Sequence, residues 1–151
     1  MHKPIYLLAL VWLSITVSTF ANDGYKLWLD YQPISDSKLK SQVEPLLSGV
    51  YFFGENPTYE AIRNELNLAS QSMLKKAPTY TKERLQNTKL WIGTREQLSQ
   101  VLSLTKQTEI KALGTDGYWR GTVELDGKSF YAIVGNQPVG TLYGLYNWLN
   151  S

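Results

Sequence analysis

One local design occurs twice in this sequence: a short apolar run closes on a glycine and is followed at once by a helix-start signal. Leu90-Trp-Ile-Gly93 precedes Thr94-Arg-Glu-Gln97, and Phe130-Tyr-Ala-Ile-Val-Gly135 precedes Asn136-Gln-Pro138. Such short apolar runs suit buried strands. Thr94 with Gln97 three residues on has the form of a capping box, and proline is pre-set for the first helical position. A strand that turns directly into a helix returns the helix onto its own sheet. The chain is therefore expected to be α/β, a mixed sheet with helices packed on it in two layers.

The remaining segments fit that frame. Tyr118 to Leu125 and Ser129 to Val134 flank Asp126-Gly127, a strong hairpin signal. Asn56-Pro57 starts a helix whose seam is Tyr59, Ile62, Leu66, Ala69 and Met73, running to about Lys76 and stopped by Pro78. The capping box at Thr94 predicts a helix through Leu98, Val101 and Leu102. Leu39 to Phe53, interrupted by Pro45, reads as a short helix and a loop. Tyr25, Leu27, Leu29 and Tyr31 alternate with Lys26, Trp28 and Asp30, which predicts a first strand. In the terminal helix Val139, Leu142, Tyr143, Tyr146 and Leu149 form one stripe, with Leu145 and Trp148 outside it. A stripe that wide predicts two buried faces, one on the domain's own sheet and one on a partner. Without the partner it would leave an apolar patch of several hundred Å².

Residues 1–21 read as a signal peptide: a short polar start at His2 and Lys3, an apolar run from Ile5 to Val17, and small residues before a cleavage point after Ala21. Export to the periplasm or cell exterior is expected, with residues 22–151 forming one domain and no membrane attachment after cleavage. The mature part holds 14 basic and 13 acidic residues, which argues against a nucleic-acid partner. The chain has no cysteine, and its one histidine, His2, falls in the segment to be removed. Disulfides, structural zinc and histidine-based catalysis are thereby excluded for the mature chain.

Two junctions, Gly93-Thr94 and Gly135-Asn136, could present backbone amides to an anion such as a carboxylate. A tight turn closed by a capping side chain is the favoured reading. Glycoside cleavage needs two facing carboxylates, but Glu60 and Glu65 point about 140° apart on one helix and read as a solvated face. Asp23, Asp30 and Asp116 read as turn or cap residues. No catalytic, cofactor-binding or metal-binding residue is assigned. Aromatic residues are abundant: Trp91, Tyr143 and Tyr146 read as core or interface, while Trp28, Trp119 and Trp148 are open to either packing or stacking on a sugar ring.

The opening Gly24-Tyr-Lys-Leu-Trp-Leu-Asp-Tyr-Gln-Pro-Ile34 resembles the start of glycoside hydrolase family 67 α-glucuronidases. The close, Phe130-Tyr-Ala-Ile-Val-Gly-Asn-Gln-Pro-Val-Gly140 with Leu142-Tyr-Gly-Leu-Tyr146, resembles the end of the same N-terminal domain and, less specifically, that of β-hexosaminidase-type enzymes. Arg63-Asn-Glu-Leu66 and Leu90-Trp-Ile-Gly-Thr94 fall in order between them. The resemblance implies a non-catalytic α/β domain. In that family a separate (β/α)₈ barrel, which carries the catalytic carboxylates, removes 4-O-methylglucuronic acid from xylo-oligosaccharides. The barrel would begin after Ser151, so the chain is expected to stop short of it and to be inactive alone. The expected partners are the barrel, if encoded downstream, and a xylo-oligosaccharide. The alternatives are a free-standing periplasmic carbohydrate-binding module and a small enzyme with its own carboxylate pair.

Overall fold

The computed structural model describes residues 30–151. The expected signal peptide and the expected strand residues Tyr25 to Leu29 lie outside them; Asp30 and Tyr31 are described and belong to no strand.

Asp36 opens the first element, because its carboxylate accepts hydrogen bonds from the amides of Lys38 and Leu39 at 2.7 and 3.2 Å. This caps helix α1 (Ser37–Leu47), which carries Pro45 in its last turn. The chain then enters strand β1 (Val50–Phe52), which corrects the loop expected there: three residues are too few to display a period of two. Asn56 and Pro57 start helix α2 (Pro57–Leu74) as their sequence requires, with the Asn56 side chain accepting from the Tyr59 amide at 3.0 Å. The helix stops at Leu74 because Lys75 turns left-handed, with φ of 57°.

After strand β2 (Leu90–Thr94) the capping box forms but the helix expected from it does not. Gln97 Oε1 accepts from the Thr94 amide at 2.9 Å, and the Gln97 amide donates to Thr94 Oγ1 at 3.3 Å. Residues 95–101 are nevertheless turns, in which bonds spanning three residues are mixed with bonds spanning four. Only Leu98 is buried in this stretch, with Leu102 just beyond it, one turn's worth of apolar contact, too little to offset helix nucleation. Ser103 instead caps a new helix, α3 (Leu104–Ala112). Helix α3 buries only Ile110 and leaves Leu104 82% exposed, so no apolar periodicity announced it.

Strands β3 (Tyr118–Leu125) and β4 (Lys128–Gly135) make the expected hairpin. Asp126 and Gly127 take φ of 51° and 70°, the left-handed pair a two-residue turn demands. The sheet order is β1-β2-β4-β3, with β1, β2 and β4 parallel and β3 antiparallel to β4. Side chains alternate across it: Val50, Phe52, Leu90, Ile92 and Ile133 lie in the core cluster with residues of α2 and of the terminal helix α4 (Pro138–Leu149). Trp91, Phe130, Ala132 and Val134 cluster on the other face with Leu98, Leu102 and Ile110. The sheet and its α2/α4 layer are the two layers of an α/β domain.

Helix α4 lies against β4, β3 and β2, and the face it buries differs from the one its large apolar residues predict. Gly140, Thr141, Gly144, Leu145 and Leu149 are buried. A Cβ on Gly144 would stand 2.9 Å from Ile133 Cγ2, and one on Gly140 would stand 2.4 Å from the Gly117 carbonyl oxygen. The helix backbone therefore rests directly on the sheet. This orientation carries Leu145 fully into the core and leaves Tyr143 45% exposed, with Val139, Leu142 and Tyr146 half-buried. The expectation that Leu145 lies on an outward docking face is thus overturned, because glycine contributes no apolar signal yet decides which side of the helix can approach. Leu145→Ala is expected to lower the unfolding free energy by about 2 to 5 kcal/mol, and Tyr143→Ala by less than about 1 kcal/mol. Urea unfolding of the two variants measures the difference, and equal losses would contradict this packing.

Candidate functional site

The parallel strands β2 and β4 end side by side, and Thr141 joins them. Its buried hydroxyl donates to the Gly93 carbonyl at 3.1 Å and accepts from the Gly135 amide at 3.2 Å. The other amides at the two strand-glycine junctions are also engaged: Thr94 donates to Gln97 Oε1, Arg95 to the Gly135 carbonyl at 2.7 Å, and Asn136 to the Gly117 carbonyl at 2.8 Å. Arg95 Nε donates to Asn136 Oδ1 at 3.0 Å. These groups close on one another, so the junctions serve as tight, capped turns. Gln97 also accepts from the Tyr59 hydroxyl at 2.5 Å, which ties the turn after β2 to helix α2. Burial pushes the Tyr59 phenol up to about 12, although its hydrogen bonds pull the other way.

A groove of about 350 Å³ lies at the start of α2, lined by Glu55, Asn56, Pro57, Tyr59, Glu60 and Arg63. The Arg63 guanidinium lies over the Phe52 ring at 4.0 Å and within 5.4 Å of the Tyr80 ring, so its charge is held by aromatic faces. Burial raises the Tyr80 phenol to about 12 against the pull of Arg63. Glu55 and Glu60 are both exposed, without the contrast of environments that sets an acid apart from a base in a glycosidase.

The expected pairing of Glu60 and Glu65 on one solvated face holds for Glu60 alone. Glu65 is 4% exposed and accepts from the Tyr31 hydroxyl at 2.5 Å. It stands three residues after Ile62 and four before Ala69, on the flank of the helix seam, which is the signal that could have found it. The Tyr146 phenol is raised, first by burial and then by the charge of Glu65. Tyr31, Glu65 and Tyr146 thus gather the segment before α1, helix α2 and helix α4. Asp116 is exposed, as is Asp30, and Asp23 lies outside the described residues.

The tryptophans separate clearly. Trp91 is fully buried, stacked on Phe130 at 4.1 Å and 12°, with its Nε1 donating to the Arg84 carbonyl at 3.0 Å; the core reading holds. Trp119 packs along β3 over Gly121, and Lys106 Nζ stands 5.2 Å from its ring centre. Trp28 lies outside the described residues. Trp148 is half-buried and lines an open groove of about 440 Å³ between the segment before α1, α1 itself and the end of α4. Among the described residues no group of three or more acidic side chains stands close enough to hold a metal ion.

Residues 27–148 match the family model described as glycosyl hydrolase family 67 N-terminus. No curated protein matches the chain.

Of the three raised phenols, the two pushed up to about 12, Tyr59 and Tyr80, set an alkaline limit. Tyrosine ordinarily ionises near pH 10, and a folded-state value near 12 means the fold favours the neutral phenol. That stability is fully present below pH about 10 and is lost as pH rises toward about 12. Phenolate absorbance of the folded protein should therefore show the Tyr59 and Tyr80 phenols titrating late. Tyr59→Phe and Tyr80→Phe should each remove one of them, and titration of every tyrosine near pH 10 before unfolding would contradict the burial.

Proposed function

Because the chain belongs to the glycosyl hydrolase family 67 N-terminal domain family, we propose that it is the accessory, non-catalytic domain of a xylan-side-chain α-glucuronidase. In this reading the enzyme removes 4-O-methylglucuronic acid from xylo-oligosaccharides, and the chemistry belongs to the catalytic domain that accompanies this one in full-length proteins of the family. The observation that carries the proposal is the extent of the match, which runs from residue 27 to 148 and takes in every helix and strand of the fold up to the last turn of α4.

The disposition of the carboxylates supports it. Cleaving a glycosidic bond needs an acid and a base or nucleophile on either side of it. Glu65 is the one buried carboxylate among the described residues and holds the Tyr31 hydroxyl. Asp36, in the Trp148 groove, caps α1. The outward residues of α4, with Tyr143 at their centre, are the surface this reading offers to the catalytic barrel. A periplasmic location rests on the signal-peptide pattern of residues 1–21. The second reading, a free-standing carbohydrate-binding module, draws on the Trp148 groove.

The purified chain should release no 4-O-methylglucuronic acid from aldouronic acids above the blank rate, and measurable release would refute the non-catalytic role. Export predicts that protein recovered from the periplasm begins at Asn22. Mass spectrometry that finds Met1 intact there would contradict processing.

A further inference from the structure

The two edges of the sheet are treated differently by the chain. At the β1 edge the protein covers itself: the Val50 amide donates to the Thr79 carbonyl and the Thr81 amide to the Val50 carbonyl, each at 2.8 Å. At the other edge stands β3, 8 residues in unbroken register with β4. The two-residue turn at Asp126 and Gly127 makes Leu125 and Lys128 a hydrogen-bonded pair. Odd-numbered residues of β3 therefore turn their amides and carbonyls toward β4, and even-numbered ones turn theirs outward. No hydrogen bond meets the outward backbone groups of Arg120, Thr122 and Glu124 among the described residues. Proteins usually blunt such an edge with proline, lysine or a bulge, and β3 carries none of the three.

The side chains along this edge identify its occupant. Arg120, Thr122 and Glu124 share the face of Ile133, while Trp119, Gly121, Val123 and Leu125 share the opposite one. Neither charge forms an ion pair among the described residues. Arg120 donates to the Ser151 hydroxyl at 2.9 Å, and the exposed Glu124 accepts from the Ser129 hydroxyl. A second β3 laid antiparallel beside the first, with Thr122 on the axis, sets Arg120 of each copy opposite Glu124 of the other. The outward backbone groups then meet as hydrogen-bonded pairs, and opposite charges across them are stabilising. In the same register Trp119 stands opposite Leu125, both half-buried in the single chain. Centring the pair on Arg120 or Glu124 would set like charges face to face, and centring it on Gly121 or Val123 separates Arg120 from Glu124. The formal net charge of +2 opposes the approach of two copies only weakly. We propose that β3 is a homodimerisation edge, through which two copies of this chain pair β3 to β3 about a two-fold axis at Thr122. This goes beyond the accessory role and does not depend on it.

Sedimentation equilibrium of the purified chain over a concentration series tests the proposal, and a monomer–dimer equilibrium is expected. Arg120→Glu and Glu124→Arg should each weaken the dimer about tenfold, and the two together should restore it. The two positions lie about 13 Å apart along one strand, so rescue in the double variant reports contact between copies. Thr122→Pro should abolish the dimer, because it removes an outward N–H and no bond of the β3–β4 ladder. Circular dichroism checks the fold of each variant, and if Thr122→Pro unfolds the charge variants decide. A parent chain that stays monomeric overturns the proposal, which is also the result if another part of the chain covers β3. A dimer indifferent to these variants overturns it as well, and assigns association to another surface such as that around Tyr143. Weakening by both single variants without rescue overturns the Arg120–Glu124 register. The hydrolysis assay is indifferent to every one of these results, so the two proposals fail separately.

Discussion

The seating of α4 on the sheet governs the rest of the molecule. Helix and sheet can approach this closely only because Gly140 and Gly144 present no side chain to Gly117, Tyr118 and Ile133. At that distance Thr141 reaches the last residues of two parallel strands at once. Its hydroxyl is fully buried and makes its bonds there, which is the condition for a buried polar group to stabilise a fold instead of weakening it. The same rotation of the helix drives Leu145 and Leu149 into the core cluster that also holds Ile62, Leu66 and Ala69 of α2. It leaves Tyr143 on the outer side.

The functional groups follow from this arrangement. With the ends of β2 and β4 closed by Thr141, Gln97 and Arg95, the region where open α/β sheets often bind ligands is occupied by the protein's own side chains. Two grooves among the described residues are peripheral, one at the start of α2 and one at the end of α4. Neither brings two carboxylates into a shared buried setting. The chain belongs to the glycosyl hydrolase family 67 N-terminus family, and in the proposed reading the chemistry is performed by another domain.

What the sequence reveals is what local chemistry dictates. Asn56-Pro57 starts a helix and Asp126-Gly127 makes a hairpin because the capping bond and the left-handed turn are settled within a few residues. The apolar strands β2 and β4 are legible for a similar reason, being buried on both faces. Features set by distant contacts are not. Thr94 and Gln97 form their reciprocal bonds, yet the helix beyond them fails for lack of apolar contact, and α3 forms from polar residues with only Ile110 buried. The orientation of α4 was hidden because its contact face is made of glycine and threonine. Glu65 was misplaced because nothing in a charged residue's identity announces a tyrosine hydroxyl 34 positions earlier. Of the site, the separation of Trp91 into the core was readable from strand periodicity. The difference between Trp119 and Trp148 rests on Lys106 and on the path of residues 32–36, which no spacing rule supplies.

If the backbone of α4 rests on the sheet, a branched side chain at its point of nearest approach cannot be absorbed. Gly144→Val would force its methyl groups against Ile133 and Tyr118, and overpacking of this kind costs about 1 to 3 kcal/mol. Urea unfolding of Gly144→Val beside the parent chain, with the slope used to confirm that the same surface is exposed, measures this directly. The account predicts a loss within that range at an unchanged slope. Stability equal to the parent's would mean that α4 stands off the sheet and that another face of the helix makes the contact.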